Sequence, residues 1–331
     1  MKYFFGWLYI VASVSIGCAF AKESVTSLAL KENINALYLK YQNETGGKNA
    51  DYIPELAKVN PAYFAIAIAT PNGELIAAGD ADVPFAIESI SKIFVYGLAL
   101  EDYDENWITE KVGLNATGFP FNSPIPLIQK ADHLQNPLVN AGAIQVASFI
   151  KGKDNNEKWQ RVFNLFKKLS DNKAFLGQAV YQSETATNLN NRVLTELLQL
   201  YDMTMGNGAE ALDRYTKACS MMVTAKQLAL MGATLANGGV HPLTHARIYS
   251  ESHVNMIVAQ MITNGLYEES GAWFTTVGLP TKNGVSGGLL AIIPQKMAIV
   301  VFSPPIDASG SSVRGKAVLK ELSQQMFNAR G

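Results

Sequence analysis

The chain predicts an α+β fold: an antiparallel sheet built from both chain ends and flanked by helices, with an all-helical subdomain between them. Three observations lead there. Short apolar segments bounded by turn residues lie near the amino end, from Ala62 to Gly79, and return from Val285 to Ser303, as strands do. Between them, apolar residues recur at helical spacing from Asn106 to Leu212. A last helical segment, Val313 to Asn328, closes the chain. Strands and helices segregated in this way are the mark of α+β folds.

With 331 residues, 48% hydrophobic and 17% charged, the chain has the length and composition of one large domain or two coupled subdomains with a substantial core. A net charge of −1 without any block of like charges gives no reason to expect nucleic acid or an anionic membrane as partner.

The first residues differ from the rest. Lys2 precedes an apolar run from Tyr3 to Gly17, and Ala19-Phe20-Ala21 supplies small residues two apart before Lys22. This predicts a signal peptide over 1–21, cleaved after Ala21, and a periplasmic or secreted protein. An uncleaved anchor is the alternative, for which the run is short; without a working leader the chain stays cytoplasmic. Lipidation at Cys18 is disfavoured by Ser15 three positions before it. The mature chain keeps only Cys219, so it must rely on its core without an intrachain disulfide.

Residues 22–331 read as a single domain, with a sheet subdomain over about 22–85 and 275–331 and a helical one over about 86–274. Val25 to Tyr41 has helical periodicity, ended by Asn43-Glu-Thr-Gly-Gly-Lys. Ala62 to Thr70 and Leu75 to Gly79, joined by Pro71-Asn-Gly-Glu, form a hairpin. Gly118 to Pro124 is a loop, and Asn136-Pro-Leu-Val-Asn-Ala-Gly-Ala-Ile runs into a helix. Trp159 to Leu169, Leu194 to Tyr201 and Ala225 to Ala236 are further helices. Strands return at Gly287 to Ile293 and Lys296 to Ser303, before the Pro304-Pro-Ile-Asp break.

Candidate chemistry sits between Phe85 and Leu100. Ser89 and Lys92 stand three apart on a segment that Ile87, Ile90, Ile93, Phe94 and Leu98 make largely apolar, hence buried. Residues three apart share a helix face, so the Lys92 amine can reach the Ser89 hydroxyl. A buried lysine must find a partner or lose its proton, and a neutral amine can activate a serine. Free backbone N–H groups near the helix start can steady an oxyanion. The plainer alternative is a capping serine followed by an exposed lysine; Ser91 is a rival nucleophile.

Other residues have two readings each. Glu184 and Asn191, seven apart, share a face if their segment is helical, or belong to a solvated polar loop. Asn140 sits among small apolar residues and is either structural or ligand-binding. Tyr215 is a half-buried helix aromatic or a cleft residue, as is Tyr267 in the irregular stretch Gly265 to Trp273. Lys282-Asn-Gly-Val-Ser-Gly-Gly enters a strand, either as a plain turn or with the Val285 N–H as an oxyanion donor. Four scattered histidines and one mature cysteine suggest no metal site, and no phosphate loop is present.

Taken together these stretches resemble the serine-dependent glutaminases, which have the fold of serine β-lactamases and transpeptidases. The resemblance rests on Asp51-Tyr-Ile-Pro-Glu-Leu-Ala, Ser89-Ile-Ser-Lys-Ile-Phe, Asn136-Pro-Leu-Val-Asn-Ala-Gly-Ala-Ile and Ser183-Glu-Thr-Ala-Thr. It continues through Asn191-Arg192, Tyr215-Thr-Lys-Ala-Cys-Ser, Val277-Gly-Leu-Pro-Thr-Lys, Gly284-Val-Ser-Gly-Gly and Ser312-Val-Arg-Gly. It implies Ser89 as nucleophile, Lys92 as its base, and Lys92 or Tyr267 as proton donor to the leaving ammonia. Tyr52, Asn140, Glu184, Asn191, Tyr215 and Tyr267 would line the substrate pocket, with Ser89 and Val285 donating N–H groups to the oxyanion. It implies hydrolysis of L-glutamine without metal or cofactor, in a homo-oligomer, a dimer or tetramer. Three features depart from the family pattern: Glu88 where glutamine is usual, Lys282-Asn283-Gly284 where related hydrolases carry Lys-Ser/Thr-Gly, and the apparent leader. A carboxylate at Glu88 would be expected to raise the pKa of Lys92. The alternatives are a β-lactam-recognising lactamase or peptidase, and an exported amino-acid-binding protein without activity.

Overall fold

The computed structural model describes residues 15–328. The amino-terminal part of the expected leader, including Lys2, lies outside the described residues; the chain is helical over Ser15–Tyr41. Among the described residues no helix is long and apolar enough to cross a membrane.

Five strands form one antiparallel sheet: β1 (Ala65–Ala69), β2 (Leu75–Gly79), β6 (Thr281–Gly284), β7 (Gly288–Ile293) and β8 (Met297–Phe302). Their order is β2-β1-β8-β7-β6, so the two chain ends meet where β1 pairs with β8, Ala67 opposite Val300. Side chains alternate across a strand, and β1 uses this directly. Ile66 and Ile68 face a core with Leu37, Val301, Leu319 and Trp273, supplied by the first helix, Ser270–Val277 and Val313–Asn328. Ala65, Ala67 and Ala69 face the opposite core with Leu290 and Val300, where the helix Ala225–Ala236 packs. That helix lies close because Gly232 has no side chain; a Cβ there would stand 2.7 Å from the Ala298 Cβ.

Three short strands, β3 (Phe85–Ala86), β4 (Phe175–Leu176) and β5 (Met221–Val223), make a second antiparallel sheet in the order β3-β5-β4. The middle of the chain is therefore not all-helical as expected. Two of these strands lie within it, and Ala225–Ala236 belongs with the large sheet. Phe85 stacks on Phe302 with ring centroids 4.1 Å apart, which joins the two sheets next to the Ser89 turn.

Strands return at Thr281 rather than after Val285, because β6 is a polar four-residue strand, Thr-Lys-Asn-Gly, buried throughout. Its sequence lacks the apolar alternation that would have marked it. The stretch around Tyr267 is a 3-10 turn (Tyr267–Glu269) between the helices Glu251–Asn264 and Ser270–Val277.

Candidate active site

Ser89 lies in a 3-10 turn (Glu88–Ile90) that runs into the helix Ser91–Asp102. The turn is clamped from both sides. The Ile87 N–H donates to the Met221 carbonyl at 2.8 Å. On the other side Gly284 of β6 comes so close that a Cβ there would meet the Ile87 carbonyl oxygen at 2.7 Å. This contact sets Val285, the next residue, beside the turn that holds Ser89. Glu88 takes a positive φ of 52°, a conformation that costs a non-glycine residue energy and persists only under such constraint.

Lys92 is only 2% exposed. Its Nζ donates to Asn140 Oδ1 at 2.7 Å, and this, not a bond to Ser89, is the amine's hydrogen bond. The Tyr267 ring centroid lies 5.5 Å from Nζ, while the Tyr267 hydroxyl is turned toward Ser89 without meeting hydrogen-bond geometry. Lysine and tyrosine thus meet in buried space next to the turn that carries Ser89. Burial brings the Lys92 ammonium down to about 8, against the opposing pull of Cys219, Glu88 and Glu184. The expected effect of Glu88 on Lys92 is present in direction, but desolvation outweighs it. Ser91 turns away, its Oγ 3.7 Å from Cys219 Sγ.

Asn140 begins the helix Asn140–Phe149 and is the centre of a network. Its Oδ1 also accepts from the Tyr215 hydroxyl at 3.2 Å, and its Nδ2 donates to Asn191 Oδ1 at 2.9 Å. Asn140 is thus paired, as a buried asparagine must be, and it also lines a cleft. That cleft, about 210 Å³, is bordered by Tyr52, Phe121, Asn140, Glu184, Asn188 and Asn191, among others. Tyr52 stands at its rim, 54% exposed. Glu184 and Asn191 do not share one helix as expected. Glu184 is on Gln178–Thr187 and Asn191 on Leu189–Leu200, with Asn188 at the break. The break turns both side chains to the same cleft.

At one end of the cleft two carboxyl groups are buried together. Glu184 is 9% exposed and Glu88 3%. Ser220 Oγ donates to Glu184 Oε1 at 3.1 Å. Burial lifts Glu184 to about 7 and Glu88 well above the usual carboxylate range. With Cys219 they bring three possible donor atoms within 4.8 Å of one another. Burial raises the Cys219 thiol and the Glu88 carboxyl, which favours their protonated forms.

Tyr267, on a backbone with φ 57°, packs against Phe121 with centroids 4.8 Å apart. Lys282 lies over its ring, Nζ 4.2 Å from the centroid. The fully buried Lys282 amine donates to Asn283 Oδ1 at 2.7 Å, and Asn283 Nδ2 donates to the Gly310 carbonyl at 3.2 Å. Burial, then repulsion from Lys92, lowers Lys282 well below its ordinary value. Lys282 and Phe121 were not among the candidates. A lysine in a buried strand was the available clue, hidden by the glycines after it; nothing local marks Phe121.

A covered antiparallel sheet, a helix-borne serine and lysine, and a cleft at their side define an enzyme of the β-lactamase-like fold. The chain belongs to the glutaminase family, amidohydrolases acting on glutamine: the family model "Glutaminase" matches residues 47–329. It is similar to a glutaminase of Colwellia psychrerythraea, 45% identical over 289 residues, 87% of this chain and 93% of the relative. Among solved structures it is similar to a probable glutaminase at TM-score 0.88 and 42% identity, covering 90% of this chain and 96% of that one. A second, Mglu in its glutamate form, superposes at TM-score 0.85 and 35% identity, over 90% of this chain and 68% of the other.

Proposed function

We propose that this enzyme hydrolyses L-glutamine to L-glutamate and ammonia through an acyl-enzyme on Ser89, with Lys92 as general base. A neutral amine that donates one N–H to Asn140 keeps its lone pair for the Ser89 proton. Ser89 Oγ then attacks the side-chain amide carbon, and the Ser89 and Val285 N–H groups receive the developing oxyanion. Ammonia is a poor leaving group, so the amide nitrogen takes a proton as the C–N bond breaks, from Lys92 or from Tyr267. Water adds to the acyl-enzyme, gives its proton to Lys92, and glutamate leaves as Ser89 regains its hydrogen. Glu184 faces the substrate ammonium, and Asn140, Asn191, Tyr52 and Tyr215 take its α-carboxylate. A site that pairs both α-substituents rejects amides lacking them, whose absence would leave buried polar groups unpaired.

The observation that carries this reading is the Lys92 amine, buried between Asn140 and the Tyr267 ring, with Asn140 itself lining a cleft that offers a carboxyl and amides. The solved relative in a glutamate form bears the product expected here. The test is ammonia release from purified enzyme given glutamine, asparagine or glutamate. Glutamine should be turned over and glutamate not. Ser89→Ala should abolish turnover and still bind glutamine in calorimetry; normal activity in that variant would sink the mechanism.

A further inference from the structure

We propose that Glu88 and Glu184 hold one proton between them, carried by Glu88, and that the Glu88 O–H positions the Glu184 carboxylate for the substrate ammonium. This rests on the reading of Glu184 as counter-charge to the amino acid. Both carboxyls are buried, and their oxygens lie within the same 4.8 Å cluster. Glu88 Oε1 nevertheless finds no donor among its neighbours, as it must if both groups are acceptors. One proton resolves this: a protonated Glu88 donates to Glu184, whose other bond comes from Ser220. Two desolvated carboxylates in contact do not both ionise.

The groups facing the pair agree. From the Ser91–Asp102 helix comes Lys92, engaged with Asn140; from Gly208–Cys219 comes the Cys219 thiol, held protonated by burial; from the rim comes Tyr52. Lys282, on the strand against the turn, is turned to Asn283 and the Tyr267 ring. Among the described residues the cation nearest the pair is Lys92, whose amine is bonded to Asn140 rather than to either carboxyl. The proton belongs on Glu88, since Ser220 already donates to Glu184 while Glu88 Oε1 meets no donor. Two consequences follow for the reaction. The ammonium meets a single negative charge, held in place by two donors. Lys92 is spared a second anion that would return it to its charged, inactive form.

The titration has a definite sign. As pH falls through about 7, Glu184 takes a proton and KM for glutamine should rise. On the alkaline side an ionised Glu88 would hold the proton on Lys92 to higher pH, so the rise of kcat with pH should come later in the wild type than in a variant whose residue 88 cannot ionise. Glu88→Gln keeps a donor that cannot ionise, whereas Glu88→Leu has none. E88L should raise KM about tenfold or more, the effect of stripping a buried acceptor of its donor. E88Q should recover most of that loss and bring the rise in kcat to a lower pH than in the wild type. Infrared spectra in D2O above neutral pH should show a protonated-carboxyl C=O band in the wild type that E88Q loses. Thermal unfolding confirms that each variant is folded; should E88L not fold, the band and the E88Q pH profile decide alone. A wild type without the band overturns the proposal, as does a folded E88L with the KM of E88Q. Failure of the Ser89 mechanism would show elsewhere, as turnover by Ser89→Ala, and would leave the band in place.

Discussion

Lys92 shows how one side chain can be both a cost to the fold and the condition of its chemistry. Unfolded, its amine keeps its proton up to the ordinary 10.5; folded, only up to about 8. Between those values the unfolded chain binds more protons, so stability rises with pH. Below about 8 the fold carries a buried charge and that gain is absent. Lys92→Met, with no proton to lose, should remove a rise of up to about 3 kcal/mol across that interval, read by denaturant unfolding at a series of pH values. The same variant should be nearly inactive, since an unaided hydroxyl is a weak nucleophile. In the native enzyme kcat should climb as pH passes through about 8 and the amine becomes neutral. An acid-side kcat flat down to pH about 6 would argue against Lys92 as base. The pair Ser89 and Lys92 was legible because burial of their helix is written in five nearby apolar residues. Its hydrogen bond to Asn140 was not, because that partner is 48 positions away.

At the scale of elements, the site depends on how closely β6 approaches the Ser89 turn. Gly284 permits it: a Cβ would stand 2.7 Å from the Ile87 carbonyl oxygen and 3.2 Å from the Glu88 Cβ. Gly284→Ala should push the strand and the Val285 N–H away from the turn. An oxyanion donor displaced by about 1 Å costs about a hundredfold in kcat, with KM changing far less. Steady-state kinetics would read this split, and an unchanged kcat would separate β6 from catalysis. Helix ends were easier to foresee than this strand. Thr224 caps Ala225–Ala236 in a reciprocal capping box with Gln227, and that helix starts and stops where its periodicity does. The strand β6 and the break at Asn188 are polar segments shaped by packing, so local pattern could not announce them.

For the whole molecule, two expectations go beyond a single chain. The leader expected over 1–21 predicts that protein recovered from the periplasm or medium begins at Lys22, which amino-terminal sequencing would check; an intact Met1 there would contradict cleavage. The homo-oligomer implied by the family resemblance has a surface to use. Ile128, Leu189 and Val193 are about half exposed or more, on two helices that touch, and apolar surface of this kind marks association. Light scattering should give a dimer or tetramer, and Leu189→Glu with Val193→Glu should shift it toward monomer if this surface is the interface.

By itself, the sequence determined what neighbours along the chain can encode: the strands whose alternation separates two cores, the helices with their caps, and a serine and lysine on a buried face. Those signals act over a few residues, through side-chain period and burial. The tertiary structure alone decided which distant groups share the buried space. It set Glu88 against Glu184, Lys92 on Asn140 and Lys282 over Tyr267. In each case desolvation brought about by the whole fold, rather than any local motif, governs which of them carries charge.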